Sequence, residues 1–267
     1  IDWYPLLREV GDTVGVYVFP GVEISVNGCH LLLIWDRTTE AYDLAKQFLL
    51  SLWDPGQSPF LPNGDPRPVS RGQVLDVARN AAAFRALALA PHSTKAKMGL
   101  LASNVCSNRR EIVESGLILG FDVVGNAKAD VLSNPRGDFG HASPPWFISS
   151  DTRSFADVGK RAVYLKLNAP PTLEGIRQAF IAVETRVRFP GRLRDEWSHV
   201  KGVSFIDEAL PAWARIASLE VTGGFHDQLQ ISFAPGLNAI IGGKGTGKST
   251  LIEIIRYVLD AAPPRSI

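Results

Sequence analysis

Gly242-Gly243-Lys244-Gly245-Thr246-Gly247-Lys248-Ser249-Thr250 satisfies the pattern G-x-x-x-x-G-K-[ST] at every position. Glycines without a Cβ let consecutive backbone N–H groups converge on phosphate oxygens. A helix opening at Lys248 adds its positive dipole end and its unpaired donors. In that arrangement Lys248 is the catalytic lysine, reaching the β- and γ-phosphates, and Ser249 holds Mg²⁺. The nine residues from Gly242 to Thr250 therefore predict a site for ATP.

The flanks supply the context such a loop needs. Leu237 to Ile241 is a short apolar run suited to a buried strand. Leu251, Ile254, Ile255, Val258 and Leu259 fall at i, i+3, i+4, i+7 and i+8, on one face of a helix. Just upstream, Ile216 to Val221 and Leu229 to Phe233 read as the two strands of an opening hairpin. Only 18 residues follow Ser249 (267 minus 249), whereas a domain of this type draws on about 100 to 200 residues. The expectation is the first hairpin, loop and helix of an incomplete P-loop NTPase domain, without the acidic strand that organises Mg²⁺ and water. The chain also opens at Ile1 with no initiator Met, so we expect a piece of a longer protein, its nucleotide site unfinished.

With 45% hydrophobic and 21% charged residues, the chain has the composition of an ordinary soluble protein with a sizeable core. A net charge of +1 makes no general case for nucleic acid. Locally, Arg186, Arg188, Arg192 and Arg194 form a basic patch that fits a solvated linker or a phosphate contact. Two cysteines, Cys29 and Cys106, suggest no disulfide framework and make no C-x-x-C pair, which favours a reducing cytoplasm. No apolar run reaches about 18 residues and no signal peptide opens the chain, so no membrane partner is expected.

From the start to about residue 189, short apolar runs alternate with helical periodicity, the pattern of βα units. Tyr17 to Phe19 and Leu31 to Trp35 read as strands. Ala41, Leu44, Ala45, Phe48 and Leu49 line one helix face. Asp54 to Arg71, with five prolines, reads as a long loop, a rim or lid. Val74, Val77, Ala78 and Ala81 continue a helix leading into the apolar run Ala86 to Ala90. Leu117 to Val124, Trp146 to Ile148 and Val163 to Leu167 read as later strands, and Thr172 caps a helix facing inward through Leu173, Ile176, Phe180 and Ile181. The boundaries are 1–189 for the first domain, 190–213 for a linker and 214–267 for the start of the P-loop domain.

Several polar residues stand where apolar runs end, the place where βα barrels gather their chemistry. They are Glu23, His30, His92 and Asp151. Carboxylate and imidazole are ligands that Zn²⁺, Mn²⁺ or Fe²⁺ accept, and two such ions activate water and clamp a phosphoryl group. A carboxylate or histidine at a strand end also serves as a hydrogen-bonded structural residue, and spacing alone leaves both readings open.

Pro20-Gly21-Val22-Glu23-Ile24-Ser25, Pro91-His92-Ser93 and Ser150-Asp151-Thr152-Arg153-Ser154 resemble the metal-binding motifs of the PHP (polymerase and histidinol phosphatase) family. In particular, Gly159-Lys160-Arg161 to Lys166, with Pro171 to Phe180, resembles PHP domains fused to AAA-like or SMC-like ATPases, the TrlF-type arrangement. The resemblance implies an α/β fold, a PHP-like distorted (β/α)7 barrel hydrolysing phosphate esters, joined to an ATPase of the repair or defence type. It carries metal-ligand roles onto Glu23, His92 and Asp151, with His30 a looser match, and implies Zn²⁺ or Mn²⁺ there. It also implies nucleic acid as a partner and, for SMC-like ATPases, pairing of two heads across ATP. The sequence departs from the family's pattern twice. The opening H-x-H pair would precede Ile1, and the closing D-x-H reads Asp151-Thr152-Arg153, where a permanently charged arginine cannot ligate a metal. His141, His199 and His226 match nothing in the pattern and read as surface or structural histidines. Two readings of the barrel follow: a phosphoesterase or nuclease governed by nucleotide state, or a degenerate scaffold for the ATPase. A third gives the fragment no activity of its own.

Overall fold

The computed structural model describes residues 3–69, 72–102, 108–123, 144–152, 154–168, 170–198, 200, 202–206, 216–234 and 238–260. The chain divides into two compact units, Ile1–Glu208 and Ala209–Ile267.

The first unit opens with helix α1 (Tyr4–Thr13). Strands β1 (Gly21–Val26) and β2 (Cys29–Ile34) follow as an antiparallel hairpin. Its two-residue turn is Asn27-Gly28, both at positive φ (51° and 78°), the backbone a twisted hairpin demands and Asn-Gly supplies at least cost. This moves the first strand relative to expectation: Tyr17 to Phe19 is not in a strand, and Glu23 lies inside β1 rather than beyond a strand end. The turn gives Gly21–Val26 a ladder partner, which Tyr17–Phe19 lacks among the described residues.

Alternation then fixes which side of β2 is buried. Cys29, Leu31, Leu33 and the following Trp35 are fully buried and join one core. Cys29 is disulfide-bonded, and its partner lies outside the described residues. Two cysteines are too few for a framework but enough for one bridge. The argument for a reducing compartment loses that support.

Helix α2 (Thr39–Ser51) begins where Thr38 Oγ1 accepts from Ala41 N at 3.1 Å. It buries Ala41, Ala45 and Phe48, and Phe48 sits between the rings of Trp35 and Phe84, 5.7 Å from each. Helix α3 (Val74–Ala83) is closed at its start by a reciprocal box between Gln73 and Asp76 and buries Val74, Leu75, Val77, Ala78 and Ala81. It leads into β3 (Leu87–Ala90), buried throughout. After helix α4 (Arg109–Glu114) come β4 (Ile118–Asp122) and β5 (Trp146–Phe147). The sheet order is β1-β2-β3-β4-β5, antiparallel as far as β3 and parallel from β3 to β5.

A separate three-stranded sheet holds β6 (Tyr164–Leu165), β7 (Val187–Pro190) and β8 (Phe205–Ile206). Helices α5 (Leu173–Ile181), α6 (Val183–Arg186) and α7 (Arg194–Trp197) are interleaved with these strands. Thr172 caps α5 by accepting from Gly175 N, and Phe180 packs on the large sheet so closely that a Cβ on Gly120 would lie 2.7 Å from its ring. The described strands form this open mixed sheet and smaller ones. They do not close the (β/α)7 barrel that the resemblance implies.

The second unit holds an antiparallel hairpin, β9 (Ser218–Val221) with β10 (Leu229–Ser232), and helix α8 (Lys248–Val258). Asn238 to Ile241 is not in a strand, against expectation, and Leu237 lies outside the described residues. An apolar run becomes a strand only beside a partner ladder, and Ile241 stays 93% exposed here. The helix face is realised in part: Leu251 is buried, Ile254 and Ile255 half-buried, Val258 and Leu259 exposed.

Candidate functional sites

In the first unit the hairpin and the end of β3 bring three side chains together. Glu23 on β1 and His30 on β2 lie near one another across the hairpin, and His92 follows Ala90 by one proline. Glu23 Oε1 lies 2.5 Å from His30 Nδ1, His92 Nε2 is 3.0 Å from the same nitrogen, and His92 Nε2 to Glu23 Oε1 is 3.8 Å. One ligating atom from each of the three falls within 4.8 Å of the others. Ligands held about 2.0–2.1 Å from one ion at right or tetrahedral angles stand roughly 2.8 to 3.4 Å apart, so the spacing brackets that of a single divalent cation.

His92 itself is 4% exposed, while Glu23 keeps an open edge to solvent. Burial lowers the pKa of His92, opposed by the charge of Glu23. The hydrogen bond from His30, more than the nearby imidazole charge, holds Glu23 below the usual carboxylate range. Both shifts keep the lone pairs that a metal needs unprotonated near neutral pH.

Asp151 does not join the three. It is exposed, beyond the end of β5, and its charge acts on His92 from outside the cluster. His92 and Asp151 both adopt positive φ, 34° and 41°, a strained conformation for residues with a side chain. Arg153 lies outside the described residues.

What holds His92 in place is a residue the sequence did not flag. Asp122, the last residue of β4, is 1% exposed. Its carboxylate accepts from His92 N (3.0 Å), Ser149 N (2.9 Å) and Ser149 Oγ (2.9 Å). Its carbonyl accepts from Ser93 N and Ser93 Oγ, each at 2.8 Å. Asp122 thus ties the ends of β3, β4 and β5 around the imidazole. Burial pushes its pKa up to about 6, against the hydrogen bonds that favour the charged form. The available signal was a carboxylate inside the otherwise apolar run Leu117 to Val124.

In the second unit the glycine-rich segment forms a turn leading directly into α8. Gly247 is the N-cap residue, left-handed at φ 81° and ψ 12°. A Cβ on Gly242 would lie 2.7 Å from Thr246 Oγ1, so a side chain there would displace that hydroxyl. Gly243 O accepts from Thr246 Oγ1 at 3.0 Å. Lys248 folds back over the loop, its Nζ donating to Gly242 O (2.8 Å) and Gly243 O (2.5 Å). The ammonium therefore lies over the loop that a phosphate would enter. Lys244, Gly245, Ser249 and Thr250 complete the stretch, with Ser249 and Thr250 in the first turn of α8. The basic patch is engaged locally: Arg186 donates to Lys166 O and Arg188 to Glu184 O, while Arg194 stacks over Phe205.

Comparison with known proteins bears on this second unit. Residues 218–266 match the family described as AAA domain. The chromosome partition protein Smc of Lactiplantibacillus plantarum (strain ATCC BAA-793 / NCIMB 8826 / WCFS1) is 40% identical over 55 residues, 20% of this chain. The chain spans about 5% of that relative's length. No solved structure matches. The carboxy-terminal part is thus similar to AAA-type and SMC-like ATPases, which supports nucleotide binding, with Mg²⁺ as its companion ion. Among the described residues, no helix is long and apolar enough to cross a membrane.

Proposed function

We propose that this chain is part of an ATP-binding protein whose nucleotide state acts on a metal-dependent phosphoesterase site. The observation that carries the ATP half is the pairing of the phosphate-loop sequence with a left-handed Gly247 opening α8, inside residues similar to an AAA domain. Lys248 would leave Gly242 O and Gly243 O for the β- and γ-phosphates, Ser249 would hold Mg²⁺, and the loop amides from Gly242 to Thr250 would take the remaining oxygens. Pairing of two such heads across ATP belongs to the same reading. Titration with a fluorescent ATP analogue tests it: micromolar binding that Lys248→Ala abolishes supports it, and equal binding by that variant refutes it.

The phosphoesterase half rests on the convergence of Glu23, His30 and His92. One oxygen and two imidazole nitrogens suit Zn²⁺ or Mn²⁺, and Asp151 stands nearby as a further carboxylate. When bound, such an ion supplies a Lewis acid and lowers the pKa of water attacking a phosphate ester. In the same reading the PHP-type domain covers 1–189, a linker 190–213 and the ATPase start 214–267. Its substrate is a nucleic acid or small phosphoester. Isothermal titration with Mn²⁺ or Zn²⁺ tests the site, and a chain that takes up neither removes the catalytic reading in favour of a scaffold.

A further inference from the structure

The ring of His226, a residue outside the phosphate-binding pattern, lies against that pattern's last glycine. Gly223 and Gly224 turn the chain out of β9 at φ 83° and 70°, and a single 3₁₀ turn over Gly224–His226 follows. Asp227 closes it, accepting from Gly223 N at 2.5 Å. Phe225 and His226 are presented together, ring centroids 4.9 Å apart and planes at 83°. A Cβ on Gly247 would lie 2.6 Å from His226 Cε1 and Nε2 and 2.9 Å from Phe225 Cε1. The two rings thus occupy the space over this glycine, whose left-handed backbone directs the chain into α8.

His226 also bonds to it. Nε2 lies 3.2 Å from Gly247 O; a carbonyl only accepts, so Nε2 carries the hydrogen. The same oxygen accepts from Leu251 N at 2.9 Å, the first bond of the helix. One atom therefore joins the hairpin turn, the loop and the helix start.

We propose that His226 is a positioning residue for triphosphate binding, its imidazole latching the Gly247 peptide so that the loop amides keep one direction. The proposal rests on the nucleotide reading above. Because the latch acts on the loop and not on a nucleoside, it affects every polyphosphate alike. One net hydrogen bond corresponds to about three- to tenfold in affinity.

The test compares the full chain with His226→Ala, His226→Phe, His226→Gln and Lys248→Ala, measuring displacement of a fluorescent ATP analogue by ATP and by inorganic tripolyphosphate. We expect His226→Ala and His226→Phe to weaken both competitors by the same factor, about three- to tenfold. Phenylalanine keeps the ring but loses the donor. His226→Gln, which returns an N–H at similar reach, should restore affinity to within about twofold. If the alanine chain does not fold, the phenylalanine and glutamine variants decide alone. Unchanged affinity in His226→Phe, or a glutamine variant as weak as it, overturns the latch. A loss confined to ATP overturns it too, since that places the ring against a base. Binding that survives Lys248→Ala is a different failure: it removes the nucleotide site itself.

Discussion

Asp122 carries a buried charge, and its cost should be visible in how stability varies with pH. The carboxyl has a pKa of about 6 in the folded chain against 3.8 when unfolded. A folded pKa above the unfolded one means that the native state binds the proton more tightly. Stability from this group is therefore greatest below pH 3.8 and is lost as pH rises through 6. Integrating the two titrations between pH 4.5 and 7.5 gives a change of about 2 kcal/mol. Other groups titrate in this range, Glu23 and His92 among them, so the quantity to measure is a difference. Urea unfolding, followed by tryptophan fluorescence with a chelator present, would be run on the parent and on Asp122→Asn across this range. The buried Trp35 and Trp146 report the first unit's core. The parent should gain about 2 kcal/mol relative to the variant on going from pH 7.5 to 4.5. Parallel profiles would show that Asp122 titrates normally, and that water reaches a carboxylate described here as buried.

Three further outcomes follow from the packing and the two sites. Phe48→Ala empties the space between Trp35 and Phe84 and should cost about 3–5 kcal/mol in chemical denaturation; a loss under 1 kcal/mol would mean the ring is not enclosed. Reducing the bridge at Cys29 with dithiothreitol should lower stability by about 2–4 kcal/mol, seen as an earlier urea midpoint. An unchanged midpoint would argue that the sulfur is not cross-linked in solution. Glu23→Gln removes the anionic ligand from the cluster and should weaken Mn²⁺ or Zn²⁺ binding at least about tenfold by calorimetry, while His226→Phe leaves that binding as in the parent.

Helices α2, α3, α5 and α8 were legible because they depend on neighbours a few residues apart, whereas α1 and α4 were not read. Thr172 caps where its spacing places it, and α3 buries the residues its period selects. Strand order was not legible, since pairing depends on which ladders meet. Asn27-Gly28 is a local hairpin signal, and weighing it would have moved the first strand to Gly21 and set Glu23 opposite β2. Three of the four candidate metal ligands converge, because β1, β2 and β3 are neighbours. Asp151 stays outside, placed by a segment beyond β5. Asp122 was hidden within an apolar run, where nothing local distinguishes a carboxylate that supports a site from one merely tolerated in a strand.

The left-handed backbone at His92 and Asp151 sets stability against chemistry. Each residue sits where glycine, which has no Cβ, would relax the chain by about 1 kcal/mol. A laboratory selection for heat resistance would thus favour replacing the very side chains proposed to meet phosphate chemistry, and the hardiest descendants would be the emptiest. Any sturdier version of this scaffold must therefore be improved elsewhere, with these two positions held fixed.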